Sequence, residues 1–238
     1  LSAEGFAAEE AAVRLAAEGH DLVLGYLRDT KAAEETAAAV RAAGARCVTV
    51  RGDTACEADV ERLFDTAGER LGPVTGLVNN AAVTGPLTRF ADAGTDVMRR
   101  VLDVNVLGCL LCCRRAARDM AASGGGAIVN VSSGAATLGS PGEYVHYAAS
   151  KAAVDALTVG LSKELGPDGI RVNAVAPGLV DTDMHATMGD PDRPARMAPA
   201  IPLGRAADAA EIAAAIAWLL SSDASYTTGA VLRVAGGR

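Results

Sequence analysis

The segment GAIVNVS at residues 126–132 decides the fold, because it is a nearly continuous apolar run followed by a long Ala-rich stretch. Such runs are typical of strands that are buried on both faces of a parallel sheet. Comparable runs predict further strands at 21–26, 46–51, 74–79, 170–175 and 230–234. Periodic Ala-rich stretches predict the helices, at 5–18, 30–43, 57–71, 95–122, 147–166 and 208–221.

This alternation predicts an α/β fold, a doubly wound, Rossmann-like parallel sheet with helices on both faces. No linker or internal repeat divides the chain, so residues 1–238 are expected to form one domain. The beginning of the chain reads as a loop and a helix without a strand. Because a sheet that lacks its central strand would expose two unpaired edges, we expect the first strand to lie upstream of this sequence.

Composition and charge argue against two classes of protein, those that bind nucleic acids and those that span a membrane. Lys and Arg number 22 and Asp and Glu 29, giving a formal net charge of −7 without a basic block, which argues against nucleic-acid binding. No apolar run approaches the roughly 20 residues that a membrane span needs. With no secretory leader in view, cytoplasmic localisation is the default expectation.

Three of the five cysteines, Cys109, Cys112 and Cys113, share one face of a predicted helix and include a C-x-x-C spacing. No second pair and no suitably spaced histidines accompany them. We interpret them as buried free thiols and predict no metal site.

Tyr147 and Lys151 are four residues apart near the start of a predicted helix, so their side chains project from one face. A nearby cation favours the phenolate and lowers the pKa of a tyrosine from its usual value of about 10. The pair therefore predicts a general acid or base that works near neutral pH. Ser132 and Ser133 end the preceding strand and are expected to lie close by.

Four motifs together resemble the short-chain dehydrogenase/reductase family of the compact, single-domain type. These motifs are NNAA at 79–82, Asn105 within LDVNVLG, IVNVSS at 128–133 followed by YAASK at 147–151, and PGLVDT at 177–182. The likeness runs from about residue 5 to the C-terminus. Within the family, the chain is similar to 3-oxoacyl-carrier-protein reductases and to sugar and alcohol dehydrogenases. The resemblance implies one dinucleotide-binding and catalytic domain with a substrate lid near 183–200.

The resemblance implies a catalytic set of Asn105, Ser133, Tyr147 and Lys151. Tyr147 would exchange a proton with the substrate oxygen, and Ser133 would bond the same oxygen. Lys151 would lower the pKa of Tyr147 and bind the nicotinamide ribose. Asn105 would kink its helix around a relay water. His146, which adjoins the tyrosine, is expected to face solvent.

The resemblance also implies a set of cofactor-binding residues, namely Gly5, Phe6, Arg28, Asp53, Thr54, Asn80, Ala81, Tyr147, Lys151, Pro177, Gly178, Val180 and Thr182. At the end of the predicted strand 21–26, the second strand of the fold if the first lies upstream, Tyr26 stands where an NAD-binding acid is expected, and Arg28 follows. An Arg near this point accommodates a 2′-phosphate, so the sequence favours NADP over NAD. Asp29 is the residue that would favour NAD if the register were shifted.

The predicted function is NADP-dependent hydride transfer between nicotinamide and a small carbonyl or secondary alcohol substrate, in a homotetramer built through helices 95–122 and 147–166. Two alternatives stay open. One is a 3-oxoacyl-carrier-protein reductase, in which a set of arginines attracts an acidic carrier, namely Arg99, Arg100, Arg114, Arg115 and Arg118. The other is a catalytically inactive, binding-only member of the family.

Overall fold

The computed structural model describes residues 8–182 and 188–238. The predicted cofactor residues Gly5 and Phe6 lie outside the described residues, as does the beginning of the predicted lid, 183–187.

Helices and strands alternate through the chain, as the sequence predicts. The strands are β1 (Leu22–Tyr26), β2 (Cys47–Arg51), β3 (Gly76–Asn79), β4 (Gly126–Val131), β5 (Ile170–Pro177) and β6 (Val231–Val234). The helices are α1 (Ala8–Ala17), α2 (Thr30–Ala42), α3 (Glu57–Leu71), α4 (Thr95–Leu102), α5 (Cys109–Ser123), α6 (Ala135–Leu138), α7 (Val145–Glu164), α8 (Arg193–Met197) and α9 (Ala209–Leu220).

All strand pairs among the described residues are parallel, and helices cover both faces, so the predicted fold class is confirmed. The strands form two sheets, in the orders β1-β2 and β3-β4-β5-β6. β1 and β3 are not hydrogen-bonded to each other. A cavity of about 520 Å³ lies between them and is lined by residues of both strands.

The helices divide into two layers around the strands. One layer contains α1, α2 and α9, and its core includes Leu15, Val40 and Ile216. The other contains α3, α5 and α7, and its core includes Phe64, Met120 and Val154. The three cysteines of α5 are buried in this second core as free thiols. Among residues 8–182 and 188–238, no helix is long and apolar enough to cross a bilayer.

A buried amide pair aligns β3 with β4. Asn79 and Asn130 are partners in the parallel register, and Nδ2 of Asn79 donates to Oδ1 of Asn130 at 2.9 Å. Nδ2 of Asn130 in turn donates to the Thr158 hydroxyl on α7, at 3.0 Å. Because buried amides need partners, these bonds fix both the register of the two strands and the position of α7 beside them.

Candidate active site

Helix α7 carries Tyr147 and Lys151 to the carboxyl end of β4, where Ser133 follows the strand. The Lys151 ammonium donates to the main-chain oxygen of Val131 at 2.7 Å and lies 5.7 Å from the centroid of the Tyr147 ring. The Tyr147 phenol interacts with the Ser133 hydroxyl. The tyrosine and the lysine are both buried. The three side chains predicted from the two motifs are therefore brought together.

Burial has the largest effect on the pKa values of Tyr147 and Lys151. It raises the pKa of Tyr147 above its ordinary value, and the hydrogen bond with Ser133 lowers it only in part. Burial also lowers the pKa of Lys151 to about 8. The prediction that Lys151 depresses the tyrosine pKa is therefore wrong for the protein alone. The ammonium is directed at the Val131 carbonyl, and the loss of water outweighs a cation above the ring.

Asn105 lies in a π-helical turn at Asp103–Gly108 that separates α4 from α5. The single predicted helix over 95–122 is therefore wrong at its centre, whereas the predicted irregularity at Asn105 is present. Oδ1 of Asn105 accepts from the Val83 amide at 2.8 Å, and Nδ2 donates to the Val83 carbonyl at 2.9 Å. Nδ2 also reaches Oγ of Ser150 at 3.0 Å, and that hydroxyl donates to the Tyr147 carbonyl. Asn105 thus joins the segment after β3 to α7.

A cavity that we call the Asn80 cavity opens at the carboxyl ends of β1 and β3. Residues that line it include Tyr26, Leu27, Asp53, Thr54, Asn80, Ala81, Asn105 and Lys151. The Asn80 side chain is 3% exposed, and neither its nitrogen nor its oxygen has a hydrogen-bond partner among the described residues. A buried amide without partners is rare, and it indicates a ligand that supplies them.

Asp53 and Arg28 were both predicted to bind the cofactor, but neither has its side chain free in the Asn80 cavity. Oδ2 of Asp53 accepts from Arg100 at 2.8 Å, and Oδ1 accepts from the Ala55 amide at 3.0 Å, so both oxygens already have partners. Arg28 is exposed and lies one residue beyond Leu27, the last residue of that loop to line the cavity. Nε of Arg51 donates to the Leu27 carbonyl at 3.1 Å, which places a second guanidinium here that the sequence reasoning missed.

The PGLVDT segment follows β5. Pro177 and Gly178 line a second cavity, which we call the Tyr147 cavity and which also contains Ser133 and Tyr147. The Val180 side chain is fully buried in the core, so the predicted contact of Val180 with a cofactor would have to involve its main chain. The Thr182 hydroxyl is buried without a partner among the described residues. Tyr147 and Lys151 therefore stand between two cavities.

The described part of the predicted lid is anchored to the Tyr147 cavity. Nη1 and Nη2 of Arg193 on α8 donate to the two carboxylate oxygens of Glu143 at 2.8 and 2.7 Å. Nη2 also donates to the Tyr144 hydroxyl at 3.2 Å. The Tyr144 ring meets the Tyr147 ring edge-on, with 5.3 Å between centroids. This chain of contacts connects the lid to the candidate acid.

Several residues near the site escaped the sequence reasoning. His146 is 6% exposed, and its Nε2 lies 2.9 Å from the Thr84 carbonyl, so the expectation that it faces solvent is wrong. Ser150 lies inside the YAASK motif, and its spacing of three from Tyr147 was the available signal. Glu143 and Arg193 are 50 positions apart, and no local pattern connects them.

Comparisons with known proteins agree with this arrangement. A family model described as Enoyl-(Acyl carrier protein) reductase matches residues 3–238. An uncharacterized oxidoreductase, YgfF, from Escherichia coli (strain K12) is 44% identical, over 95% of this chain and 93% of the relative. The cis-4-hydroxycyclohexanecarboxylate dehydrogenase of Sinomonas cyclohexanicum is 41% identical, over 95% of this chain and 90% of the relative.

Solved structures show the same similarity. A short-chain type dehydrogenase/reductase from Mycobacterium marinum superposes with a TM-score of 0.93 at 30% identity, covering 100% of this chain and 93% of the other. An NAD⁺-bound xylitol dehydrogenase superposes with a TM-score of 0.90 at 32% identity, covering 97% and 94%.

Proposed function

The chain belongs to the short-chain dehydrogenase/reductase family of oxidoreductases, and from that premise we propose that it is an NADP-dependent enzyme that interconverts a small carbonyl compound and a secondary alcohol. The observation that carries this proposal is the placement of Tyr147 and Ser133 in one cavity, with the Lys151 ammonium 5.7 Å from the Tyr147 ring and lining the other cavity. A carbonyl in the Tyr147 cavity would meet both hydroxyls, while a dinucleotide in the Asn80 cavity would meet Lys151.

The side chains would divide the proton chemistry between them. Because burial raises the pKa of Tyr147, its phenol stays protonated at neutral pH and is ready to donate to a carbonyl oxygen. Ser133 would bond the same oxygen and stabilise the negative charge that develops on it. A bound nicotinamide dinucleotide supplies hydride chemistry, which no amino-acid side chain provides.

The residues of the Asn80 cavity fit such a cofactor. The unpartnered amide of Asn80 has a free donor and a free acceptor, and the adjacent Ala81 lines the same cavity. Thr182 has a buried hydroxyl to offer. Pro177 and Gly178, in the Tyr147 cavity, would contribute carbonyl oxygens, since the Gly178 N–H already donates to the Val234 carbonyl. Thr54 lines the wall near Asp53, whose carboxylate would have to share its bonds with Arg100.

The preference for NADP rests on two guanidinium groups at the end of β1. Arg28 follows the cavity-lining residues Tyr26 and Leu27, and Arg51 is tied to the Leu27 carbonyl. A 2′-phosphate is recognised best by such planar, always-charged donors, whereas a 2′-hydroxyl needs a carboxylate acceptor.

The acyl-carrier alternative loses part of its basis. Arg100 bonds Asp53, Arg114 pairs with Glu57, and Arg115 contacts three carboxylates. These cations are balanced locally and offer little net charge to an acidic carrier.

A homotetramer is supported by two sets of exposed apolar side chains. Leu107, Leu110 and Val159 lie on the π-helical turn, α5 and α7, while Trp218, Tyr226 and Val231 lie near the C-terminal strand. Large exposed apolar side chains of this kind are typical of protein interfaces.

The test begins with fluorescence titrations of NADPH and NADH, followed by assays with ketones. We expect NADPH to bind more tightly, and Tyr147→Phe to lower kcat by about 10²–10⁴ without loss of cofactor binding. Tyr226→Phe is the matched control, because Tyr226 lines neither cavity and the change keeps its apolar ring. If Tyr147→Phe keeps full activity, the acid/base assignment fails. If neither cofactor binds, the proposed enzyme fails and the catalytically inactive, binding-only alternative takes its place.

A further inference from the structure

The Tyr147 cavity, about 330 Å³ in volume, has an excess of positive side chains. Arg193, Arg233 and Arg238 line it, and Glu143 is the one acidic side chain among its described lining residues. Three cations against one anion contrast with a whole chain of net charge −7. A local positive potential in an acidic protein raises the concentration of anionic ligands at that cavity.

The excess charge belongs to Arg233 and Arg238 rather than to Arg193. Arg193 and Glu143 form a two-point ion pair and neutralise each other. Neither Arg233 nor Arg238 has a carboxylate within 4 Å in the part of the chain that the structure describes. Glu143 acts on Arg238 at longer range, since Arg238 helps to lower the pKa of that carboxyl, so the guanidinium charge left without a carboxylate partner among the described residues is that of Arg233.

Arg233 lies in the Tyr147 cavity beside Gly134, the residue after the proposed catalytic Ser133. Its Nη1 donates to the Thr137 hydroxyl at 2.6 Å, which orients the guanidinium. Its Nη2 is 3.5 Å from the point where a Cβ on Gly134 would lie, and Gly134 directly follows Ser133. Nη2 makes no hydrogen bond to any described residue. An oriented guanidinium with a free edge beside the proposed oxyanion donor fits a carboxylate.

We propose that the substrate is an oxo acid, or the corresponding hydroxy acid, whose carboxylate binds Arg233 while its carbonyl oxygen meets Ser133 and Tyr147. This inference rests on the proposed function and names its substrate class. In the reducing direction the carbonyl carbon accepts a hydride and the carbonyl oxygen accepts the phenolic proton of Tyr147. The carbonyl becomes a secondary alcohol, the reduced nicotinamide dinucleotide is oxidised, and the carboxylate is unchanged.

The first test measures binding without turnover. Benzoate and benzamide have nearly the same shape but differ in charge, so each is titrated into the protein and followed by ligand-detected NMR. We expect benzoate to bind at least about tenfold more tightly than benzamide, which is the effect of one charge-assisted hydrogen bond. Equal affinities, or no binding of benzoate, would overturn the proposal.

Variants locate the site. Arg233→Gln should remove most of the benzoate preference, and Arg233→Lys should retain part of it because the charge remains. Arg14→Gln removes an exposed arginine on α1, outside the cavity, and should leave both affinities unchanged. If Arg233→Gln binds benzoate as the unmodified protein does, Arg233 is not the anion site.

The second test separates this inference from the proposed function. Initial rates with NADPH are compared for 4-oxopentanoate and its neutral amide. A higher kcat/KM for the acid, reduced at least about tenfold in Arg233→Gln while the amide is unaffected, supports the proposal. Turnover of the amide alone would refute the proposed substrate class but not the proposed oxidoreductase function. If no ketone is turned over, the proposed function is refuted, and the benzoate titration still tests Arg233 as the anion site.

Discussion

Asn105 holds both main-chain polar groups of Val83 with one side chain, accepting from its N–H at 2.8 Å and donating to its C=O at 2.9 Å. This two-point contact fixes the segment that carries Asn80 and Ala81 into the candidate cofactor cavity. The same amide reaches α7 through Ser150. Asn105 therefore sets the distance between the proposed cofactor residues and the helix of Tyr147.

Asn105→Ala should destabilise the protein by about 1–3 kcal/mol, because it leaves the donor and acceptor of Val83 without protein partners. Ser150→Ala removes one outer contact of the same amide and should cost about 1 kcal/mol. Denaturant unfolding measures both values. Equal stability of Asn105→Ala and the unmodified protein would show that water replaces the amide at no cost.

Lys151 should give stability a distinct pH dependence. Burial lowers its pKa to about 8 in the folded protein, whereas the unfolded chain has the ordinary value near 10.5. Between these values the unfolded chain binds more protons, so this group makes the free energy of unfolding rise with pH, by at most about 1.4 kcal/mol per pH unit.

The comparison is between the unmodified protein and Lys151→Met, from pH 7.5 to 10. Cys112 acts in the opposite direction above its ordinary pKa of 9, because burial raises its pKa to about 12. Its effect is common to both proteins and cancels in the difference, whereas Cys109, whose pKa Lys151 helps to lower, contributes to the difference together with Lys151. A difference that does not change with pH would contradict the lowered pKa of Lys151.

Glu143→Gln should loosen the described part of the lid. The change leaves Arg193, which is 4% exposed, without its counter-charge. Because Glu143 is partly exposed, we expect a cost of about 1–3 kcal/mol, below that of a fully buried pair. Hydrogen exchange of residues 188–200 should become faster.

The matched control is Arg196→Gln, which removes an exposed ion pair with Asp190 from the same helix and should change exchange little. The Arg193 hydrogen bonds also hold the pKa of Glu143 below its ordinary value. The pair therefore stabilises the protein above the unfolded pKa near 4.5, and this contribution is lost as the pH falls through the folded value. Similar exchange in both variants would remove the special role of the Glu143 pair.

Arg28→Ala should weaken NADPH binding by about 1.5–3 kcal/mol and leave NADH binding nearly unchanged. Arg41→Ala is a suitable control, since that arginine pairs with Glu34 and does not line the Asn80 cavity. Titration of each variant with both cofactors provides the comparison. Equal losses for NADPH and NADH would remove Arg28 from the phosphate site.

Gly178→Ala should destabilise the protein by about 1–3 kcal/mol, because a Cβ there would lie 2.7 Å from Cα of Ala235. Gly160→Ala on α7 meets no atom within 4 Å in one chain and should stabilise the monomer by about 0.5–1 kcal/mol. Thermal unfolding compares the two. A lower Tm for Gly160→Ala would indicate a neighbouring chain packed against α7.

The strand and helix pattern could be predicted because its signals are local. The apolar run at β4 and the four-residue spacing of Tyr147 and Lys151 each lie within one short segment of the sequence. The kink at Asn105 could be expected only from the family resemblance, and its π-helical form could not be predicted, because it depends on bonds from Asn105 to Val83, 22 positions away. The same holds for Arg193, whose carboxylate partner is 50 positions distant.

The pKa values of the site residues were harder to predict than which residues lie in the site. A spacing of four residues correctly places Lys151 near Tyr147, but it says nothing about where the ammonium points or how much water is lost. In the structure the ammonium bonds the Val131 carbonyl, and burial decides both pKa values. His146 illustrates the same difficulty, since only the packing around Thr84 reveals that it is buried.

The buried amides of Asn79 and Asn130 have a consequence for how the site is assembled. A slip of one residue between β3 and β4 would separate the two amides inside an apolar sheet, where unpaired polar groups are costly. Misaligned pairings of β3 and β4 are therefore energetically disfavoured. Because Asn80 and Ser133 lie just beyond these strands, the same amide pair aligns the two halves of the candidate active site without any ligand.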